Sequence, residues 1–222
     1  MVWQKHRLST HGDRSQKVVQ HYNGRQMTSI KYYDQHCEAF VENTRAVDMD
    51  ALYQRFLPKL KAGAHILDAG CGSGRDARHF ASLGFQVTAI DGSAAMARCA
   101  SEYIGHPVRH LQFEALDYNA VFDGIWACAS LLHIPQTELP TVMNRMSDAL
   151  KNGGFWYLSF KYGEGMVTRN GRTFTNMTEH ALQSLVANLS GIDVLQTWQT
   201  TDNRPSRKDE YWLNALLIKH PV

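Results

Sequence analysis

The sequence predicts an α/β fold in which a mostly parallel sheet of seven strands carries helices on both faces and ends in an antiparallel hairpin. Three observations lead to this prediction. Short apolar runs alternate with amphipathic segments, a glycine-rich turn follows the first run, and a ten-residue connection (201–210) joins the last two runs. Strand–helix alternation with short turns is typical of parallel sheets, whereas two linked strands adjacent in sequence pair antiparallel.

The first predicted strand ends at a carboxylate and opens into glycines. Residues 65–76 read His-Ile-Leu-Asp-Ala-Gly-Cys-Gly-Ser-Gly-Arg-Asp. The acid is Asp68, and the glycines are Gly70, Gly72 and Gly74. A buried strand that turns through glycines into a helix brings backbone amides close to a nucleotide-like ligand. We interpret this turn as a cofactor-binding loop.

The spacing of the glycines disfavours the common phosphate-bearing cofactors. A dinucleotide fold requires a third glycine three residues after the second, but Arg75 occupies that position. A P-loop would end in Lys followed by Ser or Thr, and neither is present. The remaining candidate is a ligand that has a nucleoside and a cationic amino-acid end but no phosphate. The negative charge of Asp68 would attract such a ligand. S-adenosylmethionine has these features.

The same residues resemble a known family. The run from Asp68 to Gly74 resembles the first motif of the class I S-adenosylmethionine-dependent methyltransferases, and Asp91, 23 residues later, resembles their ribose-binding acid. The resemblance covers roughly residues 32–219. Within the class, Gly-Ser-Gly-Arg-Asp (72–76) and Ala-Ser-Leu-Leu-His-Ile-Pro (129–135) resemble the small tellurite-resistance-type methyltransferases. The resemblance to the class implies a Rossmann-like fold and transfer of a methyl group from S-adenosylmethionine.

The resemblance also implies which positions hold the cofactor. Three of them, Phe113, Glu114 and Ala115, match by place alone at the end of the third predicted strand (108–113), where the more usual Asp-Ala is missing. Met96 lies in the first turn of a helix capped by Ser93 and would touch the adenine edge, or pack in the core. The full set is Asp68, Gly70, Cys71, Gly72, Gly74, Arg75, Asp91, Gly92, Ser93, Met96, Phe113, Glu114, Ala115, Cys128 and Ala129.

His133, which follows the fourth predicted strand (122–130), is the candidate catalytic residue. Displacement at a sulfonium needs an aligned acceptor and the exclusion of water, so a general base is optional. For a thiol, amine or hydroxyl acceptor His133 would take the proton, because histidine titrates near neutrality. Alternatively its ring holds the turn by a hydrogen bond. The other histidines lack metal-ligand spacing, so no metal site is expected.

Two tyrosines and several cations are candidate substrate-binding residues. Tyr32 and Tyr33 occupy positions where similar methyltransferases carry a tyrosine that closes over the cofactor; the alternative is aromatic core packing. Loops after the later strands carry Lys161, Arg172, Arg204 and Arg207. Four converging cations would favour a small anionic acceptor such as a carboxylate, a phosphate or a chalcogen oxyanion. The alternative is pairing with nearby acids in solvent, which we favour for Arg207, whereas we place Arg204 in the site.

Charge and length suggest a single methyltransferase domain (31–222) preceded by a polar basic arm (1–30). The chain has 222 residues, 44% of them hydrophobic, which is enough for one sizeable core. Residues 1–31 hold six Lys/Arg against one acid, leaving 17 basic and 20 acidic residues beyond them. A nucleic-acid partner is disfavoured because the body lacks a broad positive surface. Two alternatives remain: an RNA or protein methyltransferase recruited by the arm, and a non-catalytic S-adenosylmethionine-binding module.

The composition predicts a cytoplasmic protein without a membrane segment. No run approaches the roughly 18 apolar residues of a membrane helix, and the first residues lack an apolar signal region. The four cysteines show no CxxC pairing, as expected in a reducing compartment. The sequence does not predict the oligomeric state.

Overall fold

The structure, a computed structural model, describes residues 29–204, 207 and 209–221. The arm predicted at 1–30 therefore lies outside the described residues except for its last two. Seven strands form the main sheet in the order β3-β2-β1-β4-β5-β9-β8, and two more form a separate hairpin. The strands are β1 (His65–Ala69), β2 (Gln86–Asp91), β3 (Arg109–His110), β4 (Phe122–Ala127), β5 (Leu150–Lys161), β6 (Met166–Arg169), β7 (Arg172–Thr175), β8 (Ile192–Thr201) and β9 (Tyr211–Lys219).

The sheet confirms the predicted fold class. Strands β1 to β5 pair in parallel, while β9 runs antiparallel between β5 and β8. The predicted third strand is much shorter than its apolar run: only Arg109 and His110 pair with β2, and Phe113–Ala115 is a turn of 3-10 helix. Arg172, which we placed in a loop, is the first residue of β7 in the β6–β7 hairpin.

Seven α-helices among the described residues cover the sheet and its carboxyl edge. They are α1 (Ser29–Gln35), α2 (Cys37–Thr44), α3 (Asp50–Phe56), α4 (Arg75–Ser82), α5 (Ala94–Ile104), α6 (Leu139–Ala149) and α7 (Glu179–Val186). Two begin at side-chain caps: the Ser93 hydroxyl, the predicted cap of α5, accepts a bond from the Met96 amide, and the Thr178 hydroxyl accepts one from the Ala181 amide. No helix in the described ranges is long and apolar enough to span a membrane.

The core lies on both faces of the central strands. On one face, β4, β5 and β9 pack against fully buried side chains of α6 and α7, among them Val142, Met146 and Leu182. On the other face, Phe56 of α3 and Phe80 of α4 pack on Trp126 of β4. Because helices cover both faces, polar groups and ligands are confined to the edge where the parallel strands end.

Candidate functional site

A cavity of about 380 Å³ opens at the carboxyl ends of the parallel strands. It lies between β1 and β4, where the strand order reverses, which is where open α/β sheets bind ligands. Its size is within the range of small-molecule sites. Its wall combines the loops after β1, β2, β3 and β4 with α1, α2 and the β9 edge.

Two glycines of the predicted cofactor loop are required by close approaches. A Cβ on Gly70 would lie 2.5 Å from Ser130 Cβ, and one on Gly72 would lie 3.2 Å from a ring carbon of Phe40. Both have positive φ (79° and 52°), a conformation that glycine adopts without strain. Gly74, by contrast, packs against Ala100 and does not line the cavity. The loop backbone is thus exposed to the cavity at Gly70 and Gly72.

Asp91 at the tip of β2 holds this loop in place. Its carboxylate accepts bonds from the amides of Gly72 (2.9 Å) and Ser93 (2.8 Å), joining the loop to the start of α5. Burial raises the pKa of Asp91, and these two bonds partly offset the rise. The residue lines the cavity together with the predicted neighbours Gly92, Ser93 and Cys71.

Asp68 does not reach the cavity, contrary to the expectation that it faces the cationic end of the ligand. It is 2% exposed beneath the loop, and its Oδ2 has no hydrogen-bond partner among the described residues. Burial, followed by the negative charge of Asp76, raises the pKa of Asp68 well above its ordinary value. A buried carboxyl of this kind is protonated more readily than a surface aspartate, so it attracts a cation less strongly.

Arg75 lines the cavity, but its charge is already engaged. Its Nε and Nη2 donate to the carboxylate of Asp76 at 2.7 and 3.0 Å. The same carboxylate accepts bonds from Tyr53 Oη (2.5 Å) and Trp126 Nε1 (2.8 Å), so it is buried with four donors. Sequence analysis missed this role of Asp76, since Tyr53 and Trp126 lie 23 and 50 residues away in the chain. The cluster fixes the first turn of α4 below the loop.

The remaining predicted cofactor positions lie mostly at the wall. Met96, Phe113, Glu114, Cys128 and Ala129 line the cavity, whereas Ala115 does not. Ser130, which sequence analysis did not select, also lines it. Its hydroxyl is buried without a hydrogen-bond partner among the described residues, as expected of a group that meets a ligand. Its position three residues after β4, at the end of the predicted fourth strand (122–130), was the signal available in the sequence.

Tyr33 and His133 form one hydrogen-bonded unit at the cavity. His133 Nδ1 lies 3.0 Å from the Thr173 carbonyl, and Nε2 lies 2.8 Å from Tyr33 Oη. Because a carbonyl only accepts, we assign the proton to Nδ1, so that Nε2 accepts the bond from Tyr33. Burial, with smaller contributions from the charges of Arg172 and Lys161, outweighs the bond to the Thr173 carbonyl and lowers the pKa of His133 to about 4. His133 is therefore neutral near pH 7.

Helix α1 carries Tyr33 over the cavity and is held there by polar contacts. The Ser29 hydroxyl donates to the Thr173 carbonyl (3.3 Å) and accepts from the Thr173 amide (3.2 Å). The Asp34 carboxylate accepts from the Ser93 hydroxyl (2.6 Å) and the Ala95 amide (3.1 Å). No residue of α1 is buried. Helix α1 thus places Tyr33 in the cavity wall, and its closing over the cofactor stays a prediction.

Of the four predicted cations, Arg172 alone lacks a carboxylate partner among the described residues. Lys161 and Arg207 pair with Glu210, and Arg204 pairs with Asp202 through two bonds, at 2.8 Å from Nε and 2.5 Å from Nη2. Arg207 is thus paired with an acid, as we favoured from the sequence. Lys161, Arg204 and Arg207 all line the cavity, but each charge is already engaged by a carboxylate, so the expectation of free cations facing the acceptor is wrong for Lys161 and Arg204.

Arg172 is 8% exposed, and its Nε has no hydrogen-bond partner in the described part of the chain. The guanidinium carbon lies 4.4 Å from the ring centre of Tyr32 and 5.3 Å from that of Phe174. Tyr32 itself does not line the cavity; it covers the arginine from outside. The result is a buried, largely unneutralised cation at the cavity wall.

Residues 66–154 match the family model described as a methyltransferase domain. Ubiquinone biosynthesis O-methyltransferase of Xanthomonas oryzae pv. oryzae (strain PXO99A) is 34% identical over 106 residues, which is 44% of this chain and 43% of the relative. The chain thus matches less than half the length of the curated relatives.

Solved structures share the fold at low identity. A Burkholderia thailandensis 1,6-didemethyltoxoflavin-N1-methyltransferase has a TM-score of 0.70 and 23% identity, covering 86% of this chain and 85% of its own. The [4+2]-cyclase SpnF has a TM-score of 0.66 and 18% identity, covering 88% and 97%. The fold is therefore shared by proteins of different chemistry. Residues 66–154 thus match a methyltransferase-domain model, and the described fold is the one these structures share.

Proposed function

We propose that this chain is an S-adenosylmethionine-dependent methyltransferase whose acceptor is a small anion. The observation that carries the proposal is the presence of two complementary groups in one cavity: the partly buried carboxylate of Asp91 and the buried guanidinium of Arg172, which has no carboxylate partner among the described residues. The first suits a neutral polyhydroxylated group such as ribose, and the second suits a negatively charged acceptor.

The residues at the Asp91 end fit the cofactor. Each carboxylate oxygen of Asp91 accepts one backbone bond and retains acceptor capacity for a ribose hydroxyl. Gly70 and Gly72 expose backbone, and the side chains of Met96 and Phe113 offer an apolar wall to an adenine ring. Bound there, S-adenosylmethionine would supply an electrophilic methyl group on its sulfonium.

The residues at the Arg172 end fit an anionic acceptor. A buried guanidinium with an unpaired Nε–H is costly in free energy unless a ligand completes its bonding. The planar fork of arginine matches a carboxylate, a phosphate or an oxyanion in two parallel bonds. A chalcogen oxyanion, the acceptor class that the tellurite-resistance resemblance implies, belongs to this set.

Tyr33 and His133 would handle the acceptor proton, where there is one. Because His133 Nε2 is occupied by the Tyr33 hydroxyl, an acceptor would lose its proton to Tyr33 Oη while the proton of Tyr33 moves to Nε2. An acceptor that is already anionic needs no such transfer. In that case His133 positions Tyr33, and the closed lid excludes water.

The experiment has two stages. Calorimetric titration with S-adenosylmethionine and S-adenosylhomocysteine tests cofactor binding, and a panel of carboxylates, phosphates, chalcogen oxyanions, RNA and peptides tests release of S-adenosylhomocysteine. Turnover with a small anion supports the proposal. Turnover with RNA or peptide alone would favour recruitment by the basic arm. Binding without any turnover would favour a non-catalytic binding module, and absence of binding would refute the cofactor assignment.

A further inference from the structure

Two thiols face each other between α2 and α5, outside the cavity wall. Cys37 Sγ and Cys99 Sγ are 2.9 Å apart, although the residues are 62 positions apart in the chain. Cys37 is 7% exposed, whereas Cys99 is partly exposed. Neither residue lines the cavity, and methyl transfer as proposed uses neither thiol.

The two helices joined by this contact both border the proposed cofactor site. Helix α2 carries Phe40, whose ring lies over Gly72 of the cofactor loop. Helix α5 carries Met96, which lines the cavity and whose Sδ lies 3.7 Å from Cys37 Sγ. A bond between the two sulfurs would therefore join α2, whose Phe40 contacts the cofactor loop, to α5, whose Met96 lines the cavity.

We propose that Cys37 and Cys99 form a reversible disulfide that fastens α2 to α5. The oxidant is a low-molecular-weight disulfide such as glutathione disulfide. The more accessible Cys99 loses its proton, and its thiolate attacks a glutathione sulfur, releasing one glutathione thiolate. The Cys37 thiolate then attacks the Cys99 sulfur of the mixed disulfide and releases the second glutathione. The two cysteines lose two protons and two electrons, and the oxidant becomes two glutathione thiols.

The environment supports this order of reaction. Burial, with a smaller effect from the Cys99 thiol, raises the pKa of Cys37 to about 12, so Cys37 is the poorer first nucleophile. Cys71 and Cys128, the other two cysteines of the chain, have no thiol contact among the described residues. The pair at 37 and 99 is thus selected by proximity.

The bond itself is tested by mass spectrometry on the full chain. After incubation with glutathione disulfide we expect the unalkylated chain to be lighter by about 2 Da and, after alkylation, to carry two alkyl groups fewer than the reduced chain. Digestion should give a peptide linking positions 37 and 99, and dithiothreitol should reverse the change. Cys37→Ser and Cys99→Ser should each abolish the link, whereas Cys128→Ser should retain it. A product in which Cys99 carries glutathione without a 37–99 link, or no reaction at all, would overturn the proposal.

The fastening of the helices is tested by hydrogen exchange and thermal unfolding. Closing a 62-residue loop should raise the melting temperature of the oxidised chain by about 5 °C or more and slow amide exchange in α2 roughly tenfold. Cys37→Ser treated with the same oxidant should show neither change. A disulfide that leaves α2 exchange unchanged would refute the fastening. Since no readout requires methyl transfer, failure here is distinguishable from failure of the proposed function.

Discussion

Replacing Asp91 by asparagine should separate cofactor binding from folding. The Asp91 carboxylate accepts hydrogen bonds from the backbone amides of Gly72 (2.9 Å) and Ser93 (2.8 Å). The side-chain oxygen of asparagine can still accept one of these bonds, but its amide nitrogen would face the other backbone N–H and cannot accept from it. The lost bond destabilises the fold, but removal of a buried charge offsets part of that loss. We therefore expect only a small change in the free energy of unfolding. Alanine would remove both bonds, so a loss of cofactor binding could not be separated from a loss of folding stability.

The effect of Asp91→Asn on cofactor binding should be larger. Two ribose hydroxyls would lose charge-assisted bonds, each about 1 kcal/mol stronger than its neutral counterpart, and one acceptor would be lost outright. The sum is about 2 to 3 kcal/mol, which raises the dissociation constant of S-adenosylhomocysteine roughly 30-fold to 150-fold. Calorimetric titration measures this change, with Asp117→Asn as the control because Asp117 is exposed.

The pH dependence gives a second test of the same residue. Burial raises the pKa of Asp91, and a hydroxyl binds the ionised carboxylate more strongly than the protonated form. Affinity should therefore decline as the pH falls through this raised pKa, starting above the usual aspartate range, and the decline should be absent from Asp91→Asn. A folded variant whose dissociation constant stays within about twofold of the wild type would refute the assignment of Asp91 to the ribose.

Three further predictions concern other parts of the site. Arg172→Lys keeps the charge but loses the fork, so the acceptor KM should rise about tenfold while S-adenosylhomocysteine affinity stays unchanged; an unaltered KM argues against the anion site. Asp76→Ala leaves Arg75 and two other buried donors unpaired and should cost about 3 to 5 kcal/mol in urea unfolding, against about 0.5 for the exposed control Asp148→Ala. The pKa of His133 is lowered from 6.5 to about 4, so on acidification the unfolded chain binds a proton that the folded one does not. The free energy of unfolding of the wild type should then fall by about 3 kcal/mol as the pH is lowered from 6.5 to about 4, and this fall should be absent from His133→Asn.

Sequence analysis predicted those parts of the protein that local chemistry dictates. The ends of β1 and β2, the cap at Ser93 and the C-terminal hairpin follow from apolar periodicity and from residues within a few positions of each boundary. The same patterns place Gly70, Gly72 and Asp91 at one edge of the sheet, because parallel strands share their carboxyl ends. The third strand was overestimated, since an apolar run alone does not provide a pairing partner.

The charge balance of the cavity was decided only by tertiary structure. The sequence holds acids near every candidate cation, and which of them meet depends on side-chain directions that periodicity does not encode. Folding pairs Lys161 with Glu210 across 49 positions of chain and leaves Arg172 with no carboxylate among the described residues. It also brings Tyr33 to His133 across 100 positions of chain. The sequence by itself therefore determined the sheet and its cofactor loop, whereas contacts between distant segments determined which charge and which hydrogen bonds face the acceptor.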